Sequence, residues 1–228
     1  MAKVDLADHM RERRTETGEE LESAGPFVTI SRQYGCHGFS LGLLLLEILN
    51  EDAEPDRVWR IYHREILESL AAETDTAAEL LQKERRARPR PLVDFFRSLG
   101  RKRPPSGYEI RSRMSTIIRD LAIQGYAIII GQGGAWAVQD LPNGLSVRLE
   151  APEEWRVKQI AFREGLGETE ALLRVRAEEQ EREYLSKVYK SRAQRMPAFH
   201  LVYDCSVFTL AHIARQIVLA LRLKGCLG

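Results

Sequence analysis

Five consecutive apolar residues, Tyr126-Ala127-Ile128-Ile129-Ile130, run straight into Gly131-Gln132-Gly133-Gly134. A strand without a polar residue at every second position has no face to give to water. It therefore predicts a place inside a sheet covered on both sides, which is the environment of parallel sheets. Phe27-Val28-Thr29-Ile30 has the same character, and further strands are predicted at Arg57 to Tyr62, Leu145 to Leu149 and His200 to Tyr203. Segments of helical composition separate them. Helices are expected from Gly38 to Asn50, over 63–72 and 76–86, from Tyr108 to Gln124, from Pro152 onward, from Glu168 to about Lys190, and from Leu210 to Leu223. The Tyr108 helix shows its buried face in the spacing of Ile110, Met114, Ile117, Ile118 and Leu121, and Gly125 ends it. Alternating strands and helices predict an α/β three-layer α/β/α sandwich with a mostly parallel sheet of about five strands. Ligands in such folds bind beyond the carboxyl ends of the strands. The loops after Ile30, Ile130 and Leu149 should thus meet at one edge.

The loop after the first strand, FVTISRQYGCHGFSLG, has the order strand, glycine loop, helix. Successive backbone N–H groups and a helix N-terminus can together face an anion. The usual phosphate loop, G-x-x-x-x-G-K-[ST], carries a lysine, and this one carries none. From the residues alone the stretch reads either as a phosphate site that draws its cation from elsewhere or as a tight strand-to-helix turn.

At 228 residues with a net charge of +1, the chain offers no global electrostatic reason to expect DNA or membrane as a partner. Charge is distributed unevenly, however. Between Lys83 and Arg113 there are eleven basic residues and three acidic ones, interrupted by Pro89, Pro91, Pro104 and Pro105. This basic insertion, about 75–107, would suit a phosphorylated acceptor, an acidic protein partner or a nucleic-acid strand. Nucleic acid is the less favoured of these, because only Phe95, Phe96 and Tyr108 are at hand for base stacking. The three cysteines, Cys36, Cys205 and Cys226, have no metal or redox spacing, which points to a reducing compartment. The longest apolar run, LGLLLLEIL, is too short to span a bilayer. A cytoplasmic protein is expected, with a charged arm over 1–25 and one domain over 26–228.

ISRQYGCHG, YHREI, AIIIGQGGAWAV, LEAPEEWRVKQIAFREGL and HLVYDCS stand in the order and approximate spacing of the cytidylate-kinase-like family of P-loop proteins, relatives of the nucleoside monophosphate kinases. The chain resembles that family from about Phe27 to Leu223. The resemblance implies a P-loop NTPase fold and ATP-dependent phosphoryl transfer, with Mg2+, to a nucleotide or other small phosphorylated acceptor. Ser31, Arg32, Gly35, Cys36, His37, Gly38 and Ser40 would surround the donor phosphates. In one register Phe39 falls at the lysine place and Ser40 at the magnesium place. Arg32 is the nearest substitute cation, and the resemblance implies a lid at about 168–197 whose Arg182, Arg192 and Arg195 are others.

His63 stands where the family has an aspartate, and Gln132 stands where its G-R-G-A motif has an arginine. With Gly133, these two are the expected acceptor contacts. Glutamine cannot make arginine's charged, two-pronged contact, so CMP is not the assumed acceptor. The bland alternatives are a helix-capping histidine and glycines that merely allow close packing. Arg156 and Lys158 match the family's helix after the fourth strand. Arg182, with Glu178 or Glu179 and Tyr184, matches its lid segment, where the alternative is a solvated helix with i,i+4 charge pairs. A different class of function is a nucleotide-binding sensor or interaction module that has lost catalysis.

Overall fold

The computed structural model describes residues 25–63, 107–190 and 199–227, with side chains of the two longest helices described over 114–124 and 168–183. The arm, the helices expected at 63–72 and 76–86, the body of the basic insertion, Arg192, Arg195 and the Tyr184 side chain lie outside the described residues. The elements are β1 (Phe27–Arg32), α1 (Gly38–Asn50), β2 (Arg60–Tyr62), α2 (Gly107–Gln124), β3 (Ala127–Ile130), α3 (Gly134–Ala137), β4 (Gly144–Glu150), α4 (Glu153–Glu164), α5 (Glu168–Lys190), β5 (Leu201–Asp204) and α6 (Leu210–Leu223).

All described strand pairs are parallel, and the sheet order is β2-β3-β1-β4-β5. Alternate residues of β1 and β3 feed two cores. On one face Val28, Ile30, Ile128, Ile130, Val147 and Leu149 pack with Leu41 and Leu45 of α1 and Ile213, Ile217 and Leu221 of α6. On the other, Phe27, Ala127 and Ile129 pack with Met114, Ile117, Ile118 and Leu121 of α2. The continuous apolar runs are explained: β1 and β3 have helices on both sides. The polar pair on the second face satisfies itself, since Thr29 Oγ1 donates to Ser146 Oγ at 3.1 Å. Among the described residues, no helix is long and apolar enough to cross a membrane.

Three strands begin later than expected, each for a local reason. β2 begins at Arg60 rather than Arg57 because Asn50 takes both backbone groups of Trp59, accepting its N–H at 2.8 Å and donating to its carbonyl at 3.0 Å. Tyr126 is excluded from β3 because it follows Gly125 (φ 80°) in a left-handed conformation of its own (φ 50°). β5 starts at Leu201, and His200 instead closes the edge from outside: its N–H reaches the Ser146 carbonyl and its Nδ1 accepts from the Ser146 N–H at 2.9 Å. The one-turn helix α3 was not expected, and it follows from the turn at 131–133. Of the leucines in α1 only Leu43 is exposed, and Gly42 lets the helix lie against the sheet, since a Cβ there would fall 2.6 Å from Ile130 Cδ1.

Candidate functional site

The parallel register brings Ile30 level with Ile130 on one side and with Val147 on the other. The loops leaving β1, β3 and β4 therefore emerge side by side, and backbone bonds stitch them together. The Gly131 N–H donates to the Ile30 carbonyl at 2.9 Å, and the Gln33 N–H to the Leu149 carbonyl at 2.9 Å. Gln33 Oε1 also accepts from the Ala151 N–H at 2.9 Å.

Between β1 and α1 the chain turns through Gly35 (φ 95°) and His37 (φ 48°). Gly35 is required there: its missing Cβ would stand 3.0 Å from Arg156 Cβ. His37 is the N-cap of α1 and makes no side-chain cap bond. The N–H groups of Gly38, Phe39 and Ser40 consequently find no acceptor among the described residues. The start of α6 provides the contrast, because there Thr209 Oγ1 accepts from the His212 N–H. An uncapped helix start after a glycine turn keeps its donors for an outside anion. Ser40 is exposed in this first turn, and Phe39 beside it is half exposed.

Arg32 joins the loops. Its side chain crosses the start of α1, where a Cβ on Gly38 would lie 3.1 Å from its Cγ and Cδ. The guanidinium ends over Gly131, whose absent Cβ would come within 1.8 Å of Arg32 Nη1. Nη2 lies 3.4 Å from His63 Nε2. Arginine can only donate, so His63 must present this nitrogen as an acceptor and carry its proton on Nδ1. The His63 ring also meets Phe39 edge-on at 5.6 Å. Residues predicted separately for donor and acceptor sites are thus brought together around one cation. Gln132 sits at φ 54° between Gly131 (φ 69°) and Gly133 (φ 77°), a run of left-handed backbone that a non-glycine residue adopts at a cost. Gly134 serves packing, since a Cβ there would approach Ile129 Cγ2 to 3.2 Å.

Arg156 is buried under the loop: Nε donates to the Ala151 carbonyl at 3.0 Å and Nη1 to the Tyr34 carbonyl at 3.3 Å. Its Nη1 lies 3.7 Å from Glu179 Oε1, and that carboxylate accepts the Tyr34 N–H. Arg182 reaches the Arg32 carbonyl at 2.9 Å. Burial pulls its pKa below the ordinary arginine value, against the opposing pull of Glu179 and Glu178. The remaining predicted cation, Lys158, is exposed among Glu153, Glu154 and Glu168 in the groove between α4 and α5, away from Arg156 and Gln159, which face the loop. Ser31 lies in β1.

Tyr34 was not picked out from the sequence, yet it joins the loop to α4 and α5. Its ring lies between the guanidiniums of Arg163 at 5.7 Å and Arg182 at 5.4 Å. Its hydroxyl donates to Glu164 Oε1 at 2.9 Å. Burial, then the Glu164 bond, pushes the phenol up from its usual pKa. Its aromatic character beside two later arginine-bearing helices was the available signal, but it acquires meaning only once α4 and α5 fold back.

The sequence profile of the cytidylate kinase-like family matches residues 27–207. The chain belongs to the cytidylate kinase-like family. No curated protein matches the sequence. Among solved structures, an uncharacterized protein from Eubacterium ventriosum ATCC 27560 is similar at a TM-score of 0.59 and 16% identity, covering 86% of this chain and 98% of that one. That likeness shows the shared fold. The shikimate kinase from Bacteroides thetaiotaomicron is more distant, at a TM-score of 0.46 and 10% identity over 86% of this chain and 98% of the other. The shikimate kinase from Acinetobacter baumannii in complex with shikimate stands at 0.45 and 12%, over 93% and 100%.

Proposed function

We propose that this cytidylate kinase-like protein is an ATP-dependent phosphotransferase that uses Arg32 in place of the phosphate-loop lysine. The placement of Arg32, over Gly38 on one side and Gly131 on the other, carries the reading. A cation held between a donor-side and an acceptor-side loop stands where charge shifts during phosphoryl transfer. The glycine cradle at Gly35 and Gly38 and the open N–H groups of the α1 start fit the phosphates of ATP. Ser40, exposed in the same turn, fits the place of a magnesium ligand. ATP with Mg2+ would supply the phosphoryl group and part of the charge neutralisation.

The chain's own residues have distinct parts. Arg156, buried and bonded to backbone carbonyls, positions the loop from below. Arg182 holds the lid to the carbonyl of Arg32 and so keeps water from the cation. His63, Gln132 and Gly133 face the acceptor, a nucleotide or another small molecule that offers a hydroxyl or phosphate. The basic insertion supplies an acidic partner or acceptor surface in this reading, and the work is done in the cytoplasm.

The test is magnesium-dependent ADP formation by purified protein against a panel of nucleoside monophosphates, nucleosides and small hydroxy acids. Acceptor-dependent turnover that disappears in Arg32→Ala is the expected result. ATP binding without turnover on any acceptor would favour the second reading, a nucleotide sensor. One observation favours that reading: the loop carries no lysine, and Arg156 donates to the Ala151 and Tyr34 carbonyls and Arg182 to the Arg32 carbonyl.

A further inference from the structure

Cys36 is the central residue of the phosphate loop, and Cys205 is the first residue after β5. Both are free thiols. They are 169 residues apart in the chain, yet the Cys205 S–H donates to the Cys36 carbonyl oxygen at 3.9 Å. Cys36 is wholly buried and Cys205 is 7% exposed. A buried cysteine ordinarily packs as a small apolar residue. Two that meet at the contact of a glycine loop with a strand end, the thiol of one on the backbone carbonyl of the other, stand as neighbours in one buried cluster.

The pair is also chemically asymmetric. The bond to Cys205, followed by burial, pushes the Cys36 thiol far up, and the Glu179 charge adds to this against the pull of Arg156. Cys205 is pulled below its ordinary value because it accepts the Cys36 S–H, against burial and the charge of Asp204. Cys205 is the one of the two that solvent reaches.

We infer that Cys36 and Cys205 form a peroxide-driven disulfide that distorts the phosphate loop. The Cys205 thiolate attacks one peroxide oxygen, the O–O bond breaks, and hydroxide leaves to take up a proton as water. The sulfenic acid formed on Cys205 is then attacked by the Cys36 sulfur. The S–S bond forms, the S–O bond breaks, and the Cys36 proton leaves with the hydroxyl as a second water. Two thiols lose two electrons and one peroxide gains them. A small oxidant suits so buried a pair better than a bulky disulfide does.

Closing the bond draws the sulfurs to about 2 Å. Cys205 is anchored to the sheet, since its N–H donates to the Glu150 carbonyl at 2.8 Å. Cys36 is held by a single longer turn bond to the Gln33 carbonyl at 3.3 Å. The loop must therefore do the moving, and it carries the amides of His37 and Gly38 with it. The consequence for nucleotide rests on the function proposed above; the cross-link does not.

The experiment treats the purified full chain with hydrogen peroxide, alkylates remaining thiols and maps the peptides. The expected result is a dithiothreitol-reversible Cys36–Cys205 link with Cys226 still alkylated. Amide hydrogen exchange over 33–40 should change with it, and MgATP affinity should fall at least tenfold. Cys205→Ser and Cys205→Ala should lose all three responses to peroxide. Three alkylated thiols after treatment, a sulfinic acid on Cys205 without a link, or a link that leaves exchange over 33–40 unchanged would each overturn the inference. If the reduced protein fails to bind MgATP, the proposed function fails, while the link and the exchange still decide this inference separately.

Discussion

Arg32 is the residue on which the site turns, because it is the side chain that reaches both the β1 and the β3 loops. Arg32→Ala should lower turnover by about 10²- to 10³-fold, the usual cost of removing one preorganised donor at a reacting centre. Arg32→Lys should recover only part of this, since a single ammonium cannot span two loops as a planar fork does. Gly131→Ala is the sharper probe. Its Cβ would meet Arg32 Nη1 at 1.8 Å on a backbone at φ 69°, so it should displace the guanidinium and approach the Arg32→Ala rate without touching the arginine. Steady-state rates of the three variants decide the matter, and a Gly131→Ala protein with the parent rate would show that the position of Arg32 is not what counts.

At the scale of elements, Tyr34 couples the loop to α4 and α5 by stacking, and Glu179 and Arg182 add bonds to the same loop. Tyr34→Ala should therefore raise amide exchange in the α5 segment 168–183. Tyr34→Phe keeps the ring against Arg163 and Arg182 and should leave most of the protection in place, having lost the exposed hydroxyl bonds to Glu164 and Arg163. Equal loosening in both variants would move the coupling from the ring to the hydroxyl. The β4–β5 edge carries a pH dependence. Burial, then the charge of Lys224, lowers the pKa of His200, and its Nδ1 must stay unprotonated to accept from the Ser146 N–H. The unfolded chain binds that proton first, at about pH 6.5. The contribution is thus whole above that pH and is lost as pH falls through the lower folded pKa. Urea midpoints at pH 7.5 and pH 5 should fall more for the parent than for His200→Asn, whose amide oxygen accepts at both; parallel falls would place the dependence elsewhere.

The whole molecule rests on two cores that share one sheet. Leu45→Ala, at a fully buried position of α1, should cost about 2–5 kcal/mol in urea unfolding, the range for emptying a packed site. A cost under about 1 kcal/mol would mean that α1 can collapse onto the sheet. Strands and helices were legible in the chain because burial on two faces writes itself into adjacent residues, as at Ala127 to Ile130, and a helix face into spacings of three and four, as at Met114 to Leu121. The strand ends were less legible, since Asn50 capturing Trp59 and the left-handed Tyr126 are events of single side chains and single dihedrals. Of the site, sequence alone determined that a glycine turn stands between a buried strand and an apolar helix, that no lysine lies in it, and that arginines occur on either side. It was the tertiary structure that decided which arginine serves which loop: Arg32 over Gly131, Arg156 beneath Tyr34, Lys158 turned to another groove. The contacts Tyr34–Glu179 and Cys36–Cys205 are separated by 145 and 169 residues. No local period records such separations, because they are set by the parallel register that lays three loops side by side.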